Sequence, residues 1–289
     1  MVCFINFIKI LRLGLQINSL HDRYSLICDF TMSECPIFGL LCTPQTLFYG
    51  ILFILFFYLI QQLINAKNKD LSGNNEMPTQ DQTLKLLLSR RSIMPKEFLK
   101  GGELSNEEIG TILEAANWAP THQKTEPWRY SIIKGSENIE SYFDFLEGWY
   151  DDNVDSLSDA DLKKFRSKLN RIRENWPHKV SHLVLIGMKR EAKPDKRLPE
   201  WEEICAVAMS VQNMHLQATS MNSIGGYWSS LTWCRAANDS QELRKRYFGN
   251  LLLDPEDRTF GAFVFGKYDC GKQYRSTRTE ISSKIFHHG

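Results

Sequence analysis

The stretch Ala119-Pro120-Thr121-His122-Gln123-Lys124-Thr125-Glu126-Pro127-Trp128-Arg129-Tyr130 decides how the chain is read. Two prolines pin a short loop. Upstream, Ser105 and Glu108 stand at capping-box spacing, and Ile109, Ile112, Leu113 and Ala116 recur on one face of a helix that Pro120 ends. Downstream, Trp128, Tyr130 and Ile132 alternate with Arg129, Ser131 and Ile133, the period of a strand entering a core. A helix-loop-strand junction is a place where functional residues sit, although a plain connector with a packed Trp has the same pattern.

On the N-terminal side, Leu84, Leu86, Leu87 and Leu88 make Thr83 to Ser89 a short helix that gives way to Arg90-Arg91-Ser92. Two guanidinium groups and a hydroxyl in succession suit a phosphate, because guanidinium forks onto its oxygens and the hydroxyl adds a bond. An arginine pair is also ordinary solvated surface.

On the C-terminal side, Ser158 and Asp161 open an amphipathic helix with Leu162, Phe165, Leu169 and Ile172 on one stripe. Five aromatics, Tyr142, Phe143, Phe145, Trp149 and Tyr150, run ahead of it. His182 to Met188 is an unbroken apolar run, hence a buried strand. Pro199 opens a helix whose first turn carries Glu200, Glu202 and Glu203, at the positive end of its dipole. Its continuation, from Ile204 to Ala218, is apolar on most sides, which calls for burial all round, at a domain centre or a subunit interface. His215 within it reads as a hydrogen-bonded interior histidine. Gly225-Gly226-Tyr227-Trp228-Ser229-Ser230 reads as a tight turn allowing close backbone approach to a ligand beside two flat rings. Asn238 to Phe248 reads as a helix, Thr259 to Gly266 as a strand, and Arg275-Ser276-Thr277-Arg278 as a late basic cluster.

Ala119-Pro120 followed by Pro127-Trp128-Arg129, with Arg90-Arg91-Ser92 before it and Trp201-Glu202, a small-residue helix and Gly225-Gly226-Tyr227-Trp228 after it, resembles the nitroreductase family of flavin enzymes. The resemblance runs from about Thr83 to Arg278. It implies an α+β fold, a sheet flanked by helices, in a homodimer with FMN at the subunit interface. It also implies that Arg90, Arg91 and Ser92 hold the phosphate and ribityl chain and that His122 and Lys124 lie near the flavin. Gly226, Tyr227, Trp228 and Ser229 would line the ring, with Arg275 or Arg278 closing the phosphate site, and the aromatics from Tyr142 to Tyr150, where the family varies with substrate, would form a wall or lid over the substrate. Lys124 departs from relatives that carry Asn or Ser there; a cation at that place either stabilises reduced flavin or points to solvent. With FMN carrying electrons from NADH or NADPH to a nitro, quinone or similar small acceptor, no catalytic side chain and no metal ligand is assigned. Two other readings stand beside this one. A reductive dehalogenase of the iodotyrosine deiodinase type shares the Thr125-Glu126-Pro127-Trp128 loop but not the Gly225 to Ser230 segment. A flavin-binding or dimerisation module without turnover is the other.

Composition narrows the field further. A formal charge of +1 over 289 residues leaves no basic footprint for nucleic acid. The seven cysteines form neither CxxC pairs nor a regular spacing, so neither a disulfide scaffold nor a zinc site is expected. Between Cys35 and Ala66 no charge occurs, and residues 46–64 are long and apolar enough for a single transmembrane helix. Lys67 and Lys69 on its C-terminal side put the following domain in the cytoplasm. The expected organisation is an N-terminal segment at 1–45, the anchor at 46–64, a polar linker at 65–82 and the FMN-binding domain at 83–289.

Overall fold

A computed structural model describes Tyr58 and residues 77–272 and 274–288. The expected anchor at 46–64 and the linker up to residue 76 lie outside the described residues, apart from Tyr58. Among the described residues no helix is long and apolar enough to cross a membrane. Pro78–Gly289 forms one compact unit.

The first helix, α1 (Gln80–Ser89), starts ahead of the expected Thr83 because Thr79 and Gln82 complete a reciprocal capping box. Helix α2 (Asn106–Asn117) begins at the Ser105–Glu108 box read from the sequence and buries Ile109, Ile112 and Ala116. After the loop comes β1 (Trp128–Lys134), then α3 (Ser136–Asp152) and α4 (Asp159–Asn175). Strand β2 (His182–Met188) leads to the long α5 (Glu200–Ser220), and β3 (Ile224–Ser229) and β4 (Arg258–Lys267) complete the sheet.

The four strands are ordered β1-β2-β4-β3, and every neighbouring pair is antiparallel. Helices cover both faces, so the alternating side chains of the central strands are apolar in both directions. Val184, Ile186, Phe263 and Phe265 pack with α2 and α5, whereas Leu183, Leu185, Ala262 and Val264 pack with α3 and α4. That double cover explains why His182–Met188 is buried at every position.

Three readings need correction. Tyr142, Phe143 and Tyr150 do not form a lid: they are the buried stripe of α3, and Tyr150 stacks on Phe165 of α4 at 3.8 Å between ring centres. Each such ring contributes on the order of 1.5–3 kcal/mol of burial. Gly225-Gly226 is not a turn but the interior of β3. Its glycines answer a packing demand: a Cβ on Gly226 would stand 2.6 Å from the Phe263 ring. Asn238 to Phe248 is broken into Arg235–Asn238, Gln241–Leu243 and a wide turn at Arg244–Phe248. Helix α5 is buried within the chain on one side and leaves Trp201, Ile204 and Met209 as an exposed apolar stripe on another, which leaves the subunit-interface alternative open.

Candidate functional site

Arg90 is the extended C-cap of α1. Three residues on, the Ile93 N–H donates to the Gly226 carbonyl at 3.1 Å. Strand β3 is at the edge of the sheet, so this bond lays the Arg90-Arg91-Ser92 segment beside it. Arg91 is tied to carbonyls alone: its Nε donates to Tyr274 O at 3.1 Å, and its Nη1 to Leu88 O at 2.5 Å and Arg90 O at 2.8 Å. Arg278 and Arg91 lie near enough to Arg90 that, after burial, their charges lower its pKa. Among the described residues, no carboxylate oxygen comes within 4.0 Å of the guanidinium nitrogens of Arg90, Arg91, Arg275 or Arg278. A cluster of like charges with no internal counterion is costly on its own and matches a bound dianion.

A cleft of about 580 Å³ opens beside this cluster, with Arg91, His215, Gly226, Tyr268, Tyr274 and Arg275 in its walls. That volume is in the range of small-ligand sites, about 300–1,000 Å³. Lys272 at the rim is neutralised by Glu97 at 3.1 Å. Tyr268 and Tyr274, 6.0 Å apart and tilted, were not singled out in the sequence. Their signal was present as two aromatics following the Gly266-Lys267 end of the last strand.

The neutral member of the cluster is His215, on α5. Its Nε2 lies 2.9 Å from Arg91 O and its Nδ1 3.4 Å from Arg90 Nη1. A carbonyl only accepts and a guanidinium only donates, so the proton sits on Nε2 and Nδ1 is the acceptor. Burial pulls the ring down to about 4, the Arg91 hydrogen bond opposes that shift, and the Arg90 charge adds to it. The edge of Phe263 holds the imidazole plane at 5.0 Å.

The strand period divides the β3 residues. Gly226 and Trp228 face one way; Tyr227 and Ser229 face the other. Tyr227 packs against the core under α3 and α4, and burial raises its phenol pKa. Trp228 is 39% exposed, its indole N–H fixed on Phe260 O at 2.7 Å.

His122 and Lys124 lie elsewhere. Their loop is braced by the Thr121 and Thr125 hydroxyls, 2.9 Å apart, and holds Gln123, Lys124 and Glu126 at φ of 50°, 57° and 43°. Left-handed backbone at non-glycine residues costs on the order of 1–2 kcal/mol each, and such strain gathers at functional loops. His122 Nδ1 meets Glu202 at 2.5 Å, at the start of α5, whereas His215 is near its end. At about 1.5 Å per residue these anchors are roughly 20 Å apart along the helix. Within one chain, then, Arg90, Arg91, Gly226, Arg275 and Arg278 come together, and His122 and Lys124 do not join them.

Such an arrangement defines a class: an α+β protein with a guanidinium cluster, free of carboxylates among the described residues, beside a cleft at the sheet edge. The nitroreductase family profile matches residues 87–266, more than half of the chain. The chain belongs to the nitroreductase family, a family of oxidoreductases. YfhC of Bacillus subtilis, named as an NAD(P)H nitroreductase, is 24% identical over 145 residues, which are 50% of this chain and 67% of that protein. The fold is similar to that of a nitroreductase-like family protein from Bacillus cereus, with a TM-score of 0.54, 18% identity and coverage of 74% of this chain and 99% of that one. A nitroreductase with bound FMN from Bacteroides fragilis has a TM-score of 0.50 at 17% identity, covering 72% and 99%.

Proposed function

We propose that the protein is an FMN-dependent oxidoreductase that uses NADH or NADPH to reduce a nitro compound, a quinone or a similar small acceptor. The observation that carries this reading is the unneutralised cluster of Arg90, Arg91 and Arg278 beside the cleft, whose donors fit a phosphate monoester. Arg90 and Arg91 would hold the phosphate with Ser92. Arg278 closes the site electrostatically, and Arg275 stands in the cleft wall. Gly226 keeps the strand backbone open to the flavin, and Trp228 presents an exposed ring further along the same face. When bound, FMN supplies the two-electron chemistry, taking hydride from the nicotinamide and passing reducing equivalents to the acceptor.

The site is read as shared between two copies. The stripe of Trp201, Ile204, Cys205 and Met209 on α5 is exposed, and a two-fold partner covering it would run its own α5 the other way. That places the His122 to Lys124 loop of one copy near the arginine cluster of the other. Residues 46–64 are read as an anchor holding the domain to a membrane, with the domain on the cytoplasmic side.

The full-length chain, purified in detergent, tests this directly through its visible spectrum. A flavin absorption band that bleaches on anaerobic addition of NADH or NADPH is expected. A colourless protein that stays colourless after incubation with FMN would sink the reading, and bound flavin that neither nicotinamide bleaches would remove the proposed donor. Deleting residues 46–64 should move the chain from the membrane pellet to the supernatant; retention in the pellet would dispose of the anchor.

A further inference from the structure

His215 touches both members of the Arg90-Arg91 pair at once, through a neutral side chain. Its two bonds differ in kind. The Nε2–H to the Arg91 carbonyl fixes the backbone at the exit of α1, and the Nδ1 lone pair receives the Arg90 guanidinium. The ring is itself held in place: it is buried, and the Phe263 edge limits its rotation. Phe263 in turn occupies the space that Gly226 leaves by having no Cβ. A chain of contacts thus runs from the sheet edge through Phe263 and His215 to both arginines.

Arg90 has few other restraints. Without an acceptor on its inner side, a flexible cationic side chain would turn to bulk water, away from Arg91 and Arg278, whose charges repel it. The Nδ1 acceptor opposes that escape without neutralising the guanidinium. A carboxylate in the same place would have held Arg90 more firmly and cancelled the charge that a phosphate needs. A neutral imidazole of fixed tautomer does the first without the second.

We propose that His215 is a positioning residue that aims the Arg90 guanidinium and the Arg91 backbone at the phosphate of the cofactor, and so sets the preference for FMN over the unphosphorylated flavin. The proposal rests on the reading of this cleft as the FMN site. Its signature is selectivity: the ring of riboflavin is the same, so a loss of phosphate positioning is invisible to riboflavin.

The test is a fluorescence titration of the flavin-free full-length protein with FMN and with riboflavin, for the wild type, His215→Phe and His215→Gln, together with melting curves in inorganic phosphate. His215→Phe keeps the ring volume and removes both bonds; it should weaken FMN by about tenfold, the worth of one hydrogen bond to a charged group, and leave riboflavin within about twofold. His215→Gln, whose amide both donates and accepts, should recover part of the FMN affinity. In an Arg90→Gln background, His215→Phe should lose most of its effect on FMN, as residues acting through one another are not additive. Equal weakening of both flavins by His215→Phe, or no weakening of either, would overturn the proposal. Should the wild type refuse FMN but gain stability in phosphate, the FMN reading falls and His215 is judged on phosphate alone: loss of that gain in His215→Phe supports its role, and retention overturns it. A wild type that responds to neither ligand overturns both.

Discussion

The two ends of α5 treat charge in opposite ways. At its N-terminal end every acidic residue of the first turn has a partner: Glu200 meets Arg258 at 3.2 Å, Glu202 meets His122 at 2.5 Å, and Glu203 forms a buried pair with Arg190. Asp257, fully buried, accepts from the Arg190 N–H at 2.7 Å, which ties the pair to the loop before β4. Near the C-terminal end, Arg90, Arg91 and Arg278 gather with His215, the Ser276 hydroxyl and backbone carbonyls as hydrogen-bond partners and, among the described residues, no carboxylate in salt-bridge reach. Paired charge braces the fold at one end; unpaired charge at the other is what the proposed phosphate site rests on. The carbonyl end of the helix dipole softens the repulsion among the arginines without removing it.

The largest effect that would sharpen this contrast belongs at the paired end. Glu203→Ala leaves the buried Arg190 guanidinium with the half-exposed Glu256 at 3.8 Å and the Leu198 carbonyl at 3.0 Å, and should cost about 3 kcal/mol in a denaturant titration, the lower end of the roughly 3–5 kcal/mol range for breaking a buried pair. FMN affinity of the protein that still folds should change little. A loss well below that range would mean that the pair is a surface contact in disguise.

Acid attacks the other end. The folded protein holds His215 near 4 against an ordinary 6.5, so below 6.5 the unfolded chain binds a proton that the folded chain refuses. Stability is therefore complete above 6.5 and declines as pH falls towards 4, by up to about 3 kcal/mol from this ring. His182, pulled down to about 4 by burial and by the Lys134 charge, acts in the same direction. Comparing the wild type with His215→Phe isolates the first: the variant should have a flatter acid limb. Parallel limbs would show that His215 keeps its ordinary pKa in the fold.

Removing a cation from the unpaired end should harm binding and spare folding. Arg91→Ala should weaken FMN by about ten- to a hundredfold, the worth of a charge-assisted bond, while the flavin-free melting temperature falls only slightly, because the loss of its bonds to the Leu88, Arg90 and Tyr274 carbonyls is partly offset by relieved repulsion. A large fall in melting temperature with unchanged FMN affinity would reverse the roles given to the two ends. The smallest effect is that of His122→Ala on folding. Its pair with Glu202 is solvent-exposed and should contribute under about 1 kcal/mol.

How much of this was legible in the sequence differs from element to element. The capping box at Ser105, the stripe of α4 and the apolar run of β2 are local patterns, and each became the element expected. Tyr142, Phe143, Leu146 and Tyr150 also sit at helical spacing, so the core role of α3 was readable; the eye was drawn to their aromaticity instead. Gly225-Gly226 misled because the reason for it is non-local: the Phe263 ring, delivered by β4, occupies the space a side chain would need. The segment after Asn238 could not be resolved by periodicity, since Gly249 and the wide turn at Arg244–Phe248 interrupt it.

The site divides along the same line. Arg90 and Arg91 were read as phosphate donors from their adjacency and their resemblance to known flavin enzymes, and the choice between Arg275 and Arg278 stayed open because it depends on tertiary placement. His215 was correctly read as an interior, hydrogen-bonded histidine, but its partners lie more than a hundred residues away in sequence, beyond the reach of any spacing rule. The Glu203–Arg190 pair was missed for a related reason. Glu203 looked like one of three acids serving the helix dipole, and only the fold singles it out as buried.

The central claim is that the two ends of α5 serve one pocket, each from a different copy of the chain. Co-expressing Arg90→Ala/Arg91→Ala chains with chains in which residues 121–126 are replaced by a glycine-serine linker, then isolating mixed dimers through two different tags, tests it by FMN stoichiometry. The account predicts that neither variant alone retains FMN and that the mixed dimer retains one per two chains, because one intact cradle then faces one intact loop. Mixed dimers that stay as empty as their parents would contradict it.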